Sequence, residues 1–404
     1  MNRTEEYIQN NWKKCIKENM TDDGTLIGLP YPYTVPSVGY FDEIYYWDTY
    51  FTNLGLDCSG MNYQSKYNTD DMLYLVMKYG HMPNGNRTYY TGRSQPPFLS
   101  EMVKNVYEHY KDRVWLYGAY TALEKEYCFW MTERMSPSGL NIYAGDYTAE
   151  KITLNDRISY MPQEKSELER AKHLVANCES GWDCNPRWEF EAYNYAPVDL
   201  NSLMYMMEKN MQYFSEELNN GRADEWAQKA EKRKALMEKH MKNEQGMLMD
   251  YNFKKNKTGT VFSVASFYPM YAKLASEECA KATVENLSRL EAEYGMYTCE
   301  KNDMPGTYQW DYPNGWACLQ YIAIIGLDNY GYKDEAVRIA KKYIRLVDKV
   351  FEETGGIWEK YNVKDGNIDV RNEYEMPQMM GWSAGVYLAV KEYLKSVKSD
   401  VENG

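Results

Sequence analysis

The sequence predicts an all-α chain whose paired helices close into a toroid, and three observations support that class. Apolar residues recur at helical spacing in roughly twelve to thirteen segments spread over nearly the whole chain. Strand-like stretches are few and short. No linker, low-complexity tract, block of like charge or internal repeat divides the 404 residues. Residues 1–404 therefore read as one domain with its function in loops at one end.

Taken in order, the helical period covers 5–19, 47–56, 65–79, 98–111, 114–134, 164–176, 203–218, 223–243, 265–275, 278–294, 315–327, 333–352 and 382–396. Leu203, Met206, Met207, Met211, Phe214 and Leu218 share one face after a cap-like Asp199 or Asn201, and such a methionine-rich stripe belongs to a core. Residues 223–243 set Ala, Trp, Leu and Met against Lys and Glu, the pattern of an amphipathic helix. Residues 246–252 and 260–263 flank a Lys/Asn/Gly turn and are expected to pair as a hairpin.

Charge excludes two partner classes. The net charge is −13 and the pI about 5.1, whereas nucleic acid and anionic membrane are bound through clustered Lys and Arg. Cysteines at 15, 58, 128, 178, 184, 279, 299 and 318 form no CxxC pair, and four histidines make no ligand cluster, so neither a metal nor an organic cofactor is expected. The first residues lack an apolar core of the kind a signal peptide carries, and no apolar run reaches membrane-spanning length. With scattered cysteines, that leads to the expectation of a reducing cytoplasm. The informative bias is aromatic, at 40 Tyr and 11 Trp. Their flat apolar faces and polar edges suit a small carbohydrate, although tyrosine-rich cores also occur without one.

The stretch Glu179-Ser-Gly-Trp-Asp-Cys-Asn-Pro-Arg-Trp188 sets Asp183 between Trp182 and Trp188, and its Gly181 and Pro186 keep it out of helix. A carboxyl walled by aromatics loses water, which disfavours its charged form and suits a proton donor. A loop whose tryptophans fill core, with Asp183 capping the next helix, is the competing reading.

Four further places repeat this chemistry. The approach to Trp47 carries Tyr40, Phe41, Tyr45 and Asp48. The loop 82–97 carries Asn84, Arg93, Ser94 and Gln95 beside paired tyrosines. Gln309-Trp-Asp-Tyr-Pro-Asn-Gly-Trp316 brings Gln309, Trp310, Asp311 and Trp316. Trp358-Glu-Lys-Tyr-Asn362 and Asn372-Glu-Tyr-Glu-Met-Pro-Gln378 add Glu359 and Glu373. Amides and a guanidinium offer the directed hydrogen bonds that vicinal hydroxyls need. Cleaving a glycosidic bond takes one carboxylic acid and a second carboxylate in a different environment. Asp183 is the natural acid and Glu359 the natural base, with Lys360 favouring the charged Glu359 if it points inward.

These motifs resemble the trehalase family of inverting α-glycosidases over residues 30–390. The resemblance implies an (α/α)6 barrel of the six-hairpin glycosidase type with a few short strands in its loops. It is strongest in Phe41-Asp-Glu-Ile-Tyr-Tyr-Trp-Asp-Thr-Tyr-Phe51, Pro83-Asn-Gly-Asn-Arg87, Arg93-Ser-Gln-Pro-Pro97, Glu179-Ser-Gly-Trp-Asp183, Pro197-Val-Asp-Leu-Asn201 and Gln309–Trp316. By position, Asp183 resembles the family's general acid and Glu359 its general base. Trp47, Asp48, Asn84, Arg93, Ser94, Gln95, Gly181 and Glu373 fall where the family contacts the sugar. The remaining aromatic and polar residues of these loops, Trp182 included, are expected to line the same site.

Four departures bear on how the sugar is held. Pro36-Ser-Val-Gly-Tyr-Phe41 places Tyr40 where the family has a sugar-binding arginine. Arg157-Ile-Ser-Tyr160 keeps an arginine and lacks the family's glutamate. The stretch 363–372 has one glycine in place of a glycine run, and Gly381-Trp-Ser-Ala-Gly385 replaces Gly-Trp-Thr-Asn-Gly. Losing a charged donor to sugar hydroxyls costs about 1.5–3 kcal/mol unless the substrate changes with it. The sequence thus predicts a hydrolase of trehalose or a similar short α-glucoside, with both carboxyls facing one pocket. A related inverting enzyme for another α-glucosyl or α-mannosyl compound, and a non-catalytic sugar-binding protein, stay open beside it.

Overall fold

The computed structural model describes residues 1–146, 164–183, 185–304, 308–370 and 375–403. Among these, α-helices run at Arg3–Asn11 (α1), Tyr46–Cys58 (α2), Asn62–Tyr79 (α3), Leu99–Tyr110 (α4), Arg113–Glu133 (α5), Glu167–Glu179 (α6), Val198–Leu218 (α7), Ala223–Met241 (α8), Tyr268–Tyr271 (α9), Glu277–Glu285 (α10), Ala317–Asn329 (α11), Lys333–Thr354 (α12) and Gly381–Asn403 (α13). Helices α2, α4, α7, α9, α11 and α13 touch in cyclic order, and α13 lies along α2 to close the ring. Helices α3, α5, α8 and α12 pack outside them. The result is the (α/α)6 toroid that the sequence predicts.

Sequence separates the two rings. The short α9 is buried at every residue, and α11 is apolar on nearly all sides. The outer α12 instead carries one stripe (Ala336, Ile339, Ala340, Tyr343, Leu346, Val347 and Val350) with charge on its other face. Closure needs a close crossing of α2 and α13. A Cβ on Gly55 would meet the Gly385 backbone, and one on Gly385 would meet the Phe51 carbonyl. Small residues here let two inner helices approach within backbone contact, so Gly385 in the divergent 381–385 motif serves packing.

The N-terminal strap is held to the ring by a buried acid. Asp71 on α3 is 0% exposed and accepts a hydrogen bond from the Tyr31 amide (3.0 Å), while its other oxygen has no protein partner. Burial pushes its carboxyl up to about 8, and neighbouring Asp70 adds to the shift. Between pH about 4 and pH 8 the folded chain therefore keeps a proton that the unfolded chain has released. Stability contributed at this position falls as pH rises across that window and levels above it. Asp71→Asn is expected to raise the unfolding free energy at pH 8 by on the order of a few kcal/mol and to change little near pH 4. Urea melts at the two pH values check this, and a gain that does not grow with pH contradicts a neutral Asp71.

Three sequence expectations need correction. The helix expected over 5–19 stops at Asn11. Trp12–Cys15 continues as a 3-10 turn, and Ile16–Lys17 (β1) pairs with Tyr33–Thr34 (β2), so Trp12, Cys15 and Ile16 mimic a helical period without forming one. The helix expected over 278–294 ends at Glu285. The Asn286 side chain donates back to the Ala282 carbonyl (2.9 Å), and Glu291–Ala292 then pairs with Gly295–Met296. The hairpin forms with a shorter turn than expected: Tyr251–Asn252 pairs with Lys257–Thr258 and not with 260–263, because the Asn252 side chain accepts from the Lys254 and Lys255 amides and fixes the turn.

Candidate active site

Five loops converge on one cavity of about 330 Å³, and each leads into an inner helix: α2, α4, α7, α11 or α13. The positive ends of those helices point toward the cup, which favours acidic groups there over the first turn. The cavity is lined by Tyr40, Phe41, Tyr45, Trp47, Asp48, Asn84, Arg93, Gln95, Gly181, Asp183, Gln309, Trp310, Trp316 and Glu359, together with Pro36, Tyr90, Met380 and Trp382.

The loops before α2 and α4 are joined through their backbones. Tyr46 donates to the Asn84 carbonyl, Asn84 to the Arg93 carbonyl, and Ile44 to the Asn86 side chain (3.1, 2.9 and 2.8 Å). The Gln95 side chain accepts from the Trp47 amide (3.3 Å), and Arg93 donates to the Asn84 side chain and to the Cys178 carbonyl (3.0 Å). Beneath them Tyr46 donates to buried Glu126 (2.6 Å) and accepts from the Leu99 amide, tying the start of α2 to α5 and α4. Glu179, at the end of α6, is a buried hub. It accepts from the Ser94 and Ala144 amides (both 2.7 Å) and from Arg134 (2.9 Å), so the Arg93 loop and the Asp183 loop are set by one carboxylate.

Gly181 is demanded by the site. Its φ of +71° suits glycine, and a Cβ would meet the Trp47 indole at 2.7 Å. Beyond it the indoles form the floor. Trp182 stacks on Trp310 (centroids 5.4 Å apart, 23°), and Trp310 stacks parallel on Trp316 (3.6 Å). Trp382 stands at right angles to both Trp310 and Trp316 (89° in each case). Cations close both ends of this stack. The Arg187 guanidinium lies 4.4 Å from the Trp182 ring and bridges Asp199 and Asp250 (2.8 Å each), while Lys360 Nζ lies 4.7 Å from Trp316. Asp199, expected as a helix cap, is thus spent on Arg187; Asn201 donates to the Asn141 and Pro197 carbonyls.

Glu359 sits just before Lys360–Asn362 (β4), which pairs antiparallel with Asn314–Trp316 (β3) so that Trp316 faces Lys360. Glu359 is 2% exposed, and Lys360 donates to its carboxylate at 2.6 Å. The lysine does point inward. Trp382 Nε1 donates to the Glu359 carbonyl (3.2 Å), which joins the Glu359 loop to α13. Asp48 occupies the first turn of α2. Burial, with the Glu359 and Asp183 charges adding to it, pushes the Asp48 carboxyl up to about 7. Three carboxyl groups therefore share one cavity.

Three expected contacts fall outside it. Ser94 points away and donates to the Met82 carbonyl (2.6 Å). Trp182 is wholly buried behind Trp310, and Asp311 accepts from the Asn302 side chain (2.9 Å). Side chains alternate along extended chain, so Arg93 and Gln95 reach the cavity while Ser94 cannot. After the turn at Gly181, Asp183 lines the cavity while Trp182 is buried in the core. Arg157 and Glu373 lie outside the described residues. Of the lining residues not anticipated, Tyr90 was one of the paired tyrosines of its loop. Trp382 stands in the divergent 381–385 motif, at the start of the helical period over 382–396.

A family model described as Trehalase matches residues 1–395. The chain is 33% identical over 421 residues to a periplasmic trehalase of Xanthomonas campestris pv. campestris, covering 95% of this chain and 72% of that protein. It is 34% identical to a periplasmic trehalase of Pseudomonas aeruginosa, covering 95% and 75%. Neutral trehalase of Saccharomyces cerevisiae superposes with a TM-score of 0.79 at 28% identity, over 97% of this chain and 80% of that one. A mannosylglycerate hydrolase of Thermus thermophilus shares the fold, with a TM-score of 0.68 at 17% identity over 96% and 99%. The periplasmic relatives overturn the cytoplasmic expectation. That expectation leaned on the first residues and on unpaired cysteines; five of the seven free cysteines described are buried, where they serve as small core residues and report nothing about compartment.

Proposed function

The chain belongs to the trehalase family, and on that premise we propose that it hydrolyses trehalose with inversion, using Asp183 as general acid and Glu359 as general base. The observation that carries this is the meeting of Asp183 and Glu359, from loops far apart in sequence, at one tryptophan-floored cavity. Residues 1–404 act as one catalytic barrel in this reading.

Glucose stacks on Trp310 and Trp47 and is held by hydrogen bonds from Asn84, Arg93 and Gln95. Asp48, with a carboxyl that titrates near neutrality, can donate to a hydroxyl or accept from one. Glu359, oriented by Lys360, takes a proton from a water as its oxygen attacks the anomeric carbon. Asp183 gives its proton to the glycosidic oxygen as the carbon–oxygen bond breaks. Each turnover consumes one water, and the proton that Glu359 accepts restores Asp183 through solvent.

Trehalose links two α-glucosyl units through their anomeric oxygen, so inversion releases one β- and one α-glucose. NMR within the first turnovers of a panel of trehalose, other α-glucosides and α-mannosides is the test. Equal β- and α-glucose from trehalose is expected. Two α-anomers would indicate retention, and cleavage of the other glycosides without trehalose would remove the substrate assignment.

A further inference from the structure

We propose that Tyr40, Phe41, Tyr45 and Tyr90 form an apolar rim that receives the leaving group by its ring face, so that the enzyme takes α-glucosides with an aromatic aglycone as well as trehalose. The inference rests on the glycosidase reading of the cavity and names what the mouth of that cavity selects.

Burial gives the direction. Trp47, Trp310, Trp316 and Glu359 are buried at the floor, while Tyr40 is 51% exposed yet lines the same cavity. A glucosyl unit on the floor therefore projects its leaving group toward Tyr40. The rim is continuous: Tyr40 meets Phe41 edge to face (4.9 Å, 68°), Phe41 meets Tyr45 (5.6 Å, 79°) and Tyr45 meets Tyr90 (5.7 Å, 60°).

Its polar ends are engaged. The Tyr45 hydroxyl donates to Glu43 (2.6 Å) and lies 3.2 Å from the Tyr90 hydroxyl, and Glu43 is itself paired with Arg87 (2.9 Å). The Arg93 guanidinium lies over Tyr90 at 5.1 Å while donating to Asn84 and Cys178. What the inner rim offers is ring surface, and Tyr40 extends it outward at the position where the family resemblance calls for an arginine. Ring faces stack on aryl groups and on the C–H faces of sugars, whereas a guanidinium serves hydroxyls.

Titration calorimetry of the full chain with phenyl and methyl 1-thio-α-glucoside, which bind without rapid cleavage, reads the rim apart from turnover. The phenyl compound is expected to bind at least about fivefold more tightly, in line with one aromatic contact. Tyr40→Ala should bring that ratio toward one, and Tyr40→Phe should restore it, because the ring face and not the hydroxyl makes the contact. Equal affinities in the unaltered protein, a ratio unmoved by Tyr40→Ala, or a Tyr40→Phe ratio as low as that of Tyr40→Ala would each overturn the proposal. Failure to hydrolyse both trehalose and phenyl α-glucoside while the affinity ratio holds would instead remove the glycosidase reading and leave the rim as a binding site, whereas hydrolysis of trehalose with none of phenyl α-glucoside would overturn the aromatic aglycone as a substrate.

Discussion

Glu359→Gln is expected to lower kcat on trehalose by about 10³-fold, within the roughly 10²–10⁴-fold that a positioned base contributes. The amide keeps the shape of the side chain but cannot accept the proton of the attacking water. It also strips the buried Lys360 of its carboxylate, and breaking a buried ion pair costs about 3–5 kcal/mol. A loss of activity could therefore reflect a loosened fold, and the two causes can be separated. In Glu359→Gln/Lys360→Met both charges are gone, so Tm should recover toward the parent value while kcat stays low. Azide offers a second separation. An anionic nucleophile needs no base, so it should restore turnover in the glutamine variant and yield β-glucosyl azide. A Glu359→Gln enzyme within tenfold of the parent would remove Glu359 from the chemistry.

The dependence on Lys360 shows where sequence reasoning reached its limit. Glu359 was legible because a carboxylate between Trp358 and Lys360 in a loop between helices is unusual. Which way Lys360 points depends on the β3–β4 register, which pairs residues more than forty positions apart and sets the lysine over Trp316. No local pattern carries that pairing. The same holds for the indole stack at and beneath the floor of the cavity. Trp182, Trp310 and Trp316 stood out singly, but their stacking and its cationic ends arise from three loops meeting in space. The toroid was easier to read, because the helical period is local and long amphipathic helices repeat it many times. Errors gathered where short apolar turns imitate that period, at Trp12–Cys15 and after Glu285. Glu179 escaped as a structural hub because it stood in a motif that drew attention to Asp183.

Asp183→Asn should divide substrates by their leaving groups. On trehalose, whose leaving oxygen must be protonated, kcat is expected to fall by about 10³-fold. On 4-nitrophenyl α-glucoside the phenolate departs without a proton, so the loss should stay within about tenfold. A residue that merely shaped the site would depress both alike. The pH profile adds an independent reading, since an essential acid fails when it ionises and so produces the alkaline limb. Asp48 complicates that limb, because its own carboxyl loses a proton at about pH 7 in the same cavity. The nitrophenyl substrate resolves the overlap, because its departure needs no acid. A limb seen on trehalose and absent on the nitrophenyl glucoside belongs to the acid; a limb near neutrality that persists on the nitrophenyl glucoside in Asp183→Asn means that Asp48 must be protonated to hold the sugar. Equal losses on both substrates would remove Asp183 from the role of acid, and with it the pairing of two carboxyls on which inversion depends.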